Sequence, residues 1–341
     1  MALKRITMQE IADACGLSRN TVSKVFNGRG SVPETTKSLV IAKARELGYY
    51  QYSMDDASEE RSSGTIALLT QHKLLSHNFG AFFLTSFSDR ISRSGYSMQM
   101  YEVSPEELEE TRLPPLLNLE QTAGILGIEL FDRAYIEMVC SLGKPTLFVD
   151  GFPRASKTLI DCDFVSMENI TSEMAIVSRM ISNGAKRLGF VGDIQHCNSF
   201  YERWLGFCEA QKEAGIPVDR SLCILEEDGE YYGDVGWLLE QLKALPSIPD
   251  AFACANDYLA IHLMTALKQL GLSVPDDVML TGFDGSMEAS LIEPTLTTAQ
   301  IPSKELGRFA ANLLAERIRQ PVFPFHWTNL KTTPIWGDST R

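Results

Sequence analysis

Residues 6–30, ITMQEIADACGLSRNTVSKVFNGRG, constrain the chain more than any other stretch, because they read as two short helices joined by a sharp turn. Thr7 followed three residues later by Glu10 has the form of a capping box, in which hydroxyl and carboxylate satisfy each other's backbone amides. Ile6, Ile11 and Ala14 then give the first helix an apolar stripe, and Gly16 supplies the left-handed residue that the reversal needs. Ser18 is placed to cap the second helix, whose Val22, Val25 and Phe26 recur at spacings of three and four. Arg19, Asn20, Ser23 and Lys24 fall on its other faces. Arginine and lysine can donate to guanine and asparagine can pair with adenine through two bonds, so such a helix suits the major groove. The plain alternative for two helices with a polar face is a hairpin with a solvated side.

Pro33 stands in the first turn of a third helix, with Val40, Ala44 and Leu47 as its buried stripe and Gly48 at its end. Residues 51–64, QYSMDDASEERSSG, are polar, acidic and aperiodic, and read as a linker. Charge divides at the same place. Residues 1–50 hold eight Lys/Arg against four Asp/Glu, a net +4, and the remainder holds 23 basic and 40 acidic groups, a net −17. The charge that seeks phosphate is therefore concentrated in the head, although the whole chain carries −13.

The run ADACGLSRNTVSKVFNG over residues 12–28, followed by VPET at 32–35 and LGY at 47–49, resembles the DNA-binding head of the lac-repressor (LacI/GalR) family of transcription regulators. Matched residue by residue, the resemblance makes Arg19, Asn20 and Lys24 the candidate base readers, and Thr7, Ser18, Thr21, Ser23, Asn27 and Thr36 the candidate DNA-backbone contacts. Lys24 stands where the family usually has arginine, and a lysine is a point donor without the planar fork.

Beyond residue 65 the texture changes to short apolar strands alternating with amphipathic helices. The strands are TIALLT, YSMQMYE, AGILGIE, PTLFVD, DFVSME, RLGFVGD, SLCILEE, AFACAND and VMLTGFD. Helices are expected over 80–94, 172–183, 204–214, 234–245 and 259–270, a βαβ rhythm that fits two successive parallel sheets. A length of 341 residues exceeds one ordinary core, so two or three compact units are expected. No Gly-x-Gly-x-x-Gly follows the first strand, and neither a Walker loop nor a Gly-x-Ser-x-Gly elbow is present, which argues for binding over catalysis. Seven cysteines without a CxxC pair read as reduced thiols, and five histidines without metal-site spacing imply no metal; no cofactor is implied either. The N-terminal sequence is charged, and no apolar run reaches the roughly eighteen residues of a membrane helix, so a cytoplasmic protein is expected.

Open α/β sheets bind ligands beyond the carboxyl ends of their strands, where Asp150, Arg203, Asn256, Asp257 and Asp284 stand. Carboxylates, amides and a guanidinium suit a small polyhydroxylated ligand, with Phe79, Phe200, Tyr201 and Tyr231 as apolar faces. A strand-end acid is more often a helix cap, which is the plain reading of Asp257, and Phe82, Phe83 and Phe87 have the spacing of a core.

Ser199, Arg203, Gly206 and Phe207, then Ala255-Asn256-Asp257 with Ala260, Gly282-Phe283-Asp284, and Glu293-Pro294 with Leu296-Thr297-Thr298 resemble the effector domain of the same family, in the same order. The resemblance implies an α/β fold: a three-helix helix-turn-helix head (1–50), a linker (51–64), and a two-lobed periplasmic-binding-protein-like effector domain with parallel sheets (65–341). Its lobes would be 65–165 with 293–325 and 166–292 with 326–341, joined by crossings near Val165, Glu293 and Phe325. Arg203 and Asp284 become the strongest effector contacts, holding the ligand from opposite lobes, with Asp150, Ser199 and Asn256 behind them. The partners implied are operator DNA, a carbohydrate-like effector and a second copy of the chain, with no membrane. A sugar-binding protein with a vestigial head is the alternative. Ile301 replaces a polar residue common in the family, and Ser58 occupies the linker position of a leucine that wedges into DNA in the family.

Overall fold

The computed structural model describes residues 6–26, 32–47, 64–71, 78–153, 160–227 and 230–340. Asn27, most of the 51–64 linker and residues 72–77 lie outside them, as do the side chains of Phe79 and Tyr231.

The head is three helices, α1 (Met8–Cys15), α2 (Arg19–Phe26) and α3 (Glu34–Leu47). Its small core is Ile11, Ala12, Val22, Val40 and Ala44, with Val25, Phe26 and Leu47 packed against it. Ala14, expected in the stripe, is exposed, and Ala12 takes the buried place. With 3.6 residues per turn, Ala12 lies beside Ile11 and above Cys15, whereas Ala14 points away. The capping box at Thr7 and Glu10 forms, and Gly16 takes the left-handed conformation at φ 64°.

The body begins with β1 (Gly64–Thr70), α4 (Asn78–Arg93), β2 (Tyr96–Glu102), α5 (Pro105–Glu109), β3 (Thr122–Ile128), α6 (Arg133–Ser141), β4 (Thr146–Val149) and β5 (Asp163–Met167). There follow α7 (Ile170–Ser182), β6 (Leu188–Val191), α8 (Asn198–Glu213), α9 (Val235–Ala244), β7 (Ala251–Cys254), α10 (Asp257–Gln269) and β8 (Met279–Thr281). The chain closes with β9 (Thr298–Gln300), α11 (Ser303–Arg319), β10 (Trp327–Leu330) and β11 (Thr333–Ile335).

The first sheet is parallel, in the order β10-β5-β4-β3-β1-β2. Its inner strands β1, β3, β4 and β5 are buried on both faces, which explains their continuous apolar runs. Along β1, Ile66 and Leu68 face the core under α4 and α11, while Ala67 and Leu69 face the core of Tyr135, Ile136 and Val139 from α6. The second sheet is β6-β7-β8, also parallel, with Phe190, Phe252 and Leu280 at its centre.

Two expected features differ. The segment SLCILEE forms no strand; it begins as a 3₁₀ turn at Arg220–Leu222, and one bridge pairs Ile224 with Val191. Asp219 favours the turn by capping the Ser221 amide at 2.9 Å. The third crossing also comes later than Phe325, because Trp327–Leu330 pairs with β5 in the first sheet and the chain leaves that lobe only after Leu330. The cause is a buried anchor just before β10. Arg317 of α11 grips Asp163 through Nε (2.8 Å) and Nη2 (2.9 Å), and the His326 amide donates to the same carboxylate at 2.7 Å. That amide bond seats the start of β10 against β5.

Candidate functional site

On the head, Arg19, Asn20 and Lys24 are exposed on α2. Ser18 holds the start of that helix: its Oγ accepts from the Thr21 amide at 3.1 Å and lies 2.9 Å from the Thr21 hydroxyl. The Thr7 hydroxyl is committed to Glu10, at 3.1 Å to its carboxylate. Ser23 and Thr36 are half-buried, and the Thr36 amide donates to the Pro33 carbonyl. The exposed polar face of α2 is thus built from the side chains that can read bases, while two of the hydroxyls are spent partly on caps.

In the body, Arg203 is the hub. It projects from the second turn of α8, a helix that starts at Asn198, before the expected 204, and its side chain is almost fully buried. The early start carries no sequence signal, since Cys197 at the cap makes no capping side-chain bond. Arg203 Nε donates to Asn169 Oδ1 (3.0 Å), and Nη1 donates to the Ala255 carbonyl (2.6 Å) and to Asp284 Oδ1 (3.2 Å). The guanidinium also lies 3.9 Å from the centroid of Phe283.

Asp284 and Arg203 do not come from opposite lobes. Asp284 follows β8 and Arg203 sits on α8 between β6 and β7, so both belong to the second sheet's lobe, and they pair with each other. The residues that face them from the first lobe are Asp150, beyond β4, and Glu129, beyond β3. Asp150 Oδ2 accepts from the Ser199 hydroxyl of α8 at 2.6 Å, and the Asn198 amide donates to the Gly151 carbonyl at 2.8 Å, so the two lobes touch here. Asp150 Oδ1 is closed to solvent without a partner among the described residues. Burial raises the Asp150 carboxyl above its usual range, opposed by the Ser199 bond and Arg203.

Glu129 was not singled out by sequence, since it reads as the last residue of an apolar strand. Burial pushes its carboxyl up to about 7; His196 opposes the shift and Asp284 adds to it. Glu129 (φ 53°), Asp150 (φ 62°) and Asp284 (φ 125°) all hold left-handed backbone, a strained state for a side chain with a Cβ. Phe131 stacks edge-on against His196 at 5.0 Å, and His196 lies 5.1 Å from Phe200, so aromatic rings also cross the seam.

Asn256 is where the expectation meets a structural role. Its Oδ1 caps α10 by accepting from the Leu259 amide at 2.9 Å. Asp257, the expected cap, is instead buried and accepts from the Thr298 hydroxyl (2.6 Å) and the Ser286 amide (2.7 Å). Burial and Asp284 raise its carboxyl to about 7. Ile301 is buried in the first lobe's core, and Phe83 and Phe87 are core as expected, while Phe82 is exposed.

A helix-turn-helix head joined to a two-sheet body with polar groups gathered between the sheets defines a DNA-binding regulator of the ligand-responsive kind. Residues 7–51 match the model of bacterial regulatory proteins of the lacI family, and residues 177–340 match that of the periplasmic binding protein-like domain. The two matches give a lacI-family DNA-binding head on a periplasmic binding protein-like body, the make-up of a helix-turn-helix transcriptional regulator. It is 28% identical to the HTH-type transcriptional regulator CelR of Thermobifida fusca, over 92% of each chain. It is 26% identical to the HTH-type transcriptional repressor CytR of Escherichia coli (strain K12), over 92% of this chain and 90% of the repressor. The structure of a CelR–cellobiose complex superposes with a TM-score of 0.72 at 26% identity, covering 98% of this chain and all of that one. A lac repressor dimer bound to operator and the anti-inducer ONPF shares the fold with a TM-score of 0.68 at 21% identity, over 99% of each chain. These relatives are regulators and not enzymes. Among the described residues no helix is long and apolar enough to cross a membrane.

Proposed function

We propose that this regulator is a repressor acting as a homodimer, with one head on each half-site of a near-palindromic operator, and that a small polyhydroxylated effector bound between the lobes changes operator affinity. The observation that carries this is the convergence of strand-end acids from both lobes on Arg203: Asp284 pairs with it directly, and Asp150 reaches the same helix through Ser199. A ligand contacting Asp150 and Glu129 on one side and Arg203 and Asp284 on the other gains most when the lobes stand at one particular separation. Such differential affinity is what shifts a conformational equilibrium. In this reading Arg19, Asn20 and Lys24 select bases, with Thr7, Ser18, Thr21, Ser23, Asn27 and Thr36 along the backbone, while Asn256 serves the site by fixing α10. The protein works in the cytoplasm, and it binds without catalysing.

Genome-wide mapping of its DNA sites, followed by anisotropy titrations on the mapped operator, tests the reading. Arg203→Ala should keep operator affinity and lose the response to effector; a variant that responds at the wild-type concentration overturns the site. A protein that retards no DNA at low salt would instead be a sugar-binding protein with a vestigial head.

A further inference from the structure

Among the described residues, the seam between the lobes is short of positive charge. Arg203, whose guanidinium is buried there, is matched by Asp284 and tied to Asn169 and the Ala255 carbonyl. That leaves the two first-lobe acids with no lysine or arginine hydrogen-bonded to them among the described residues, although Arg203 and His196 act on them through their charge. The donors beside Asp150 are neutral, the Ser199 hydroxyl and amide and the Cys197 thiol, Arg203 acts on it through its charge alone, and its Oδ1 is buried with no hydrogen-bond partner among the described residues. Glu129 is favoured in its ionised form by His196 and disfavoured in it by Asp284. The other charged groups nearby do not supply the deficit. Asp193 accepts from the Gln195 amide, Glu202 accepts from Asn169 and Asn198, Asp257 is acidic, and Arg133 is paired with Glu137.

A desolvated carboxylate is stabilised far more by a charged donor than by a hydroxyl, because only the former offsets the cost of burying the charge. Resting on the effector reading above, we propose that the ligand of this seam carries a protonated amine, held by Glu129 and Asp150 of the first lobe, and that Glu129 is the residue that selects it over a neutral polyol. Burial holds the Glu129 carboxyl up at about 7, so near neutral pH it is divided between its two forms, and a cation beside it would favour the ionised one. Because the amine requires the ionised form, binding should weaken as the pH falls through 7.

Calorimetry on the full-length protein tests this with matched probes: glucose against glucosamine, galactose against galactosamine, and cellobiose against the fully deacetylated disaccharide of glucosamine. N-acetylglucosamine serves as the uncharged isostere. At least one amine should bind tenfold or more tightly than its neutral partner, and acetylation should remove the advantage. Its affinity should be about fivefold lower at pH 6.0 than at pH 7.0, the ratio of ionised Glu129 at the two values. Glu129→Gln should lose tenfold or more in amine affinity and flatten the pH profile, and the wild-type profile reads the same group without a variant. A neutral sugar that binds as well as its amine, silence from every amine, or a flat wild-type profile overturns the proposal. If neutral sugars win and Arg203→Ala abolishes their binding, the amine falls and the effector site stands. An amine that binds Arg203→Ala as well as wild type removes the site itself.

Discussion

Glu173 offers the sharpest test of how this body is packed. It lies in α7, facing α8, fully enclosed, and neither of its carboxyl oxygens has a partner among the described residues. Gly206 makes room for it: a Cβ there would stand 2.8 Å from the Glu173 Cβ. Burial raises its carboxyl from 4.5 to about 8, against the attraction of Arg203. Below about pH 4.5 the group is protonated in both folded and unfolded chains, and its titration costs nothing. As pH rises the unfolded chain ionises while the folded one keeps its proton, so stability falls by about 1.4 kcal/mol per unit until the pH passes 8. Between pH 5 and pH 8 the loss is about 3 to 4 kcal/mol. Glu173→Gln has no proton to lose. Its buried amide adds an offset of about 1 to 3 kcal/mol, but that offset does not change with pH. Urea unfolding at fixed protein concentration, followed by the fluorescence of the nearly buried Trp204 on α8, measures the difference between variant and wild type at each pH. That difference should move in favour of the glutamine variant by about 3 kcal/mol from pH 5 to pH 8. A constant difference would mean that the carboxylate is ionised inside the fold, hydrated or paired, and the burial argument would be wrong.

Arg317→Ala should destabilise the body by about 3 to 5 kcal/mol, since it leaves the fully buried Asp163 with His326 alone and no guanidinium; an unchanged denaturation midpoint would refute this. Asn20→Ala should relax operator selectivity by about 1 to 3 kcal/mol at particular bases, measured by competition with variant operators, and equal weakening on random DNA would reduce Asn20 to a phosphate contact. Asp55, Asp56, Glu59 and Glu60 put four carboxylates in the linker, where they would repel phosphates across a narrow groove. Weak bending of the operator in a circular-permutation assay is expected, and a sharp central kink that vanishes when residues 53–60 become glycine and serine would contradict it.

What the sequence made legible follows from how local each signal is. Val22 and Val25 on α2 and the apolar runs of β1, β3 and β7 announce themselves because their spacing or continuity is enforced by burial. The choice between Ala12 and Ala14 was not legible, since both are small and the helix phase decides. Trp327–Leu330 mixes exposed and half-buried residues as an edge strand does, so its pairing to β5 depends on a partner far away in sequence. At the site, Arg203, Asp284 and Asp150 could be picked out by motif and by strand ends. Their arrangement could not: the Arg203–Asp284 pair within one lobe depends on the backbone turn at Asp284, and Asn256 looks the same in sequence whether it caps a helix or meets a ligand. Glu129 was hidden because only its left-handed backbone separates it from an ordinary strand end.

The late return of the chain to its first sheet has a consequence for how the protein assembles. β5 and β10 are neighbours, with Phe164 opposite Trp327, yet the whole second lobe lies between them in sequence. Closing so long a loop in an open coil costs about 4 to 5 kcal/mol in chain entropy before any contact rewards it. If the second lobe condenses first, its own sheet draws Met167 and Thr298 toward each other and most of that cost has already been met. Folding order would then run against chain order, the half of the body that begins first being finished last. Defects in the second lobe's centre, at Phe252 or Leu280, should accordingly slow the maturation of a sheet they never touch.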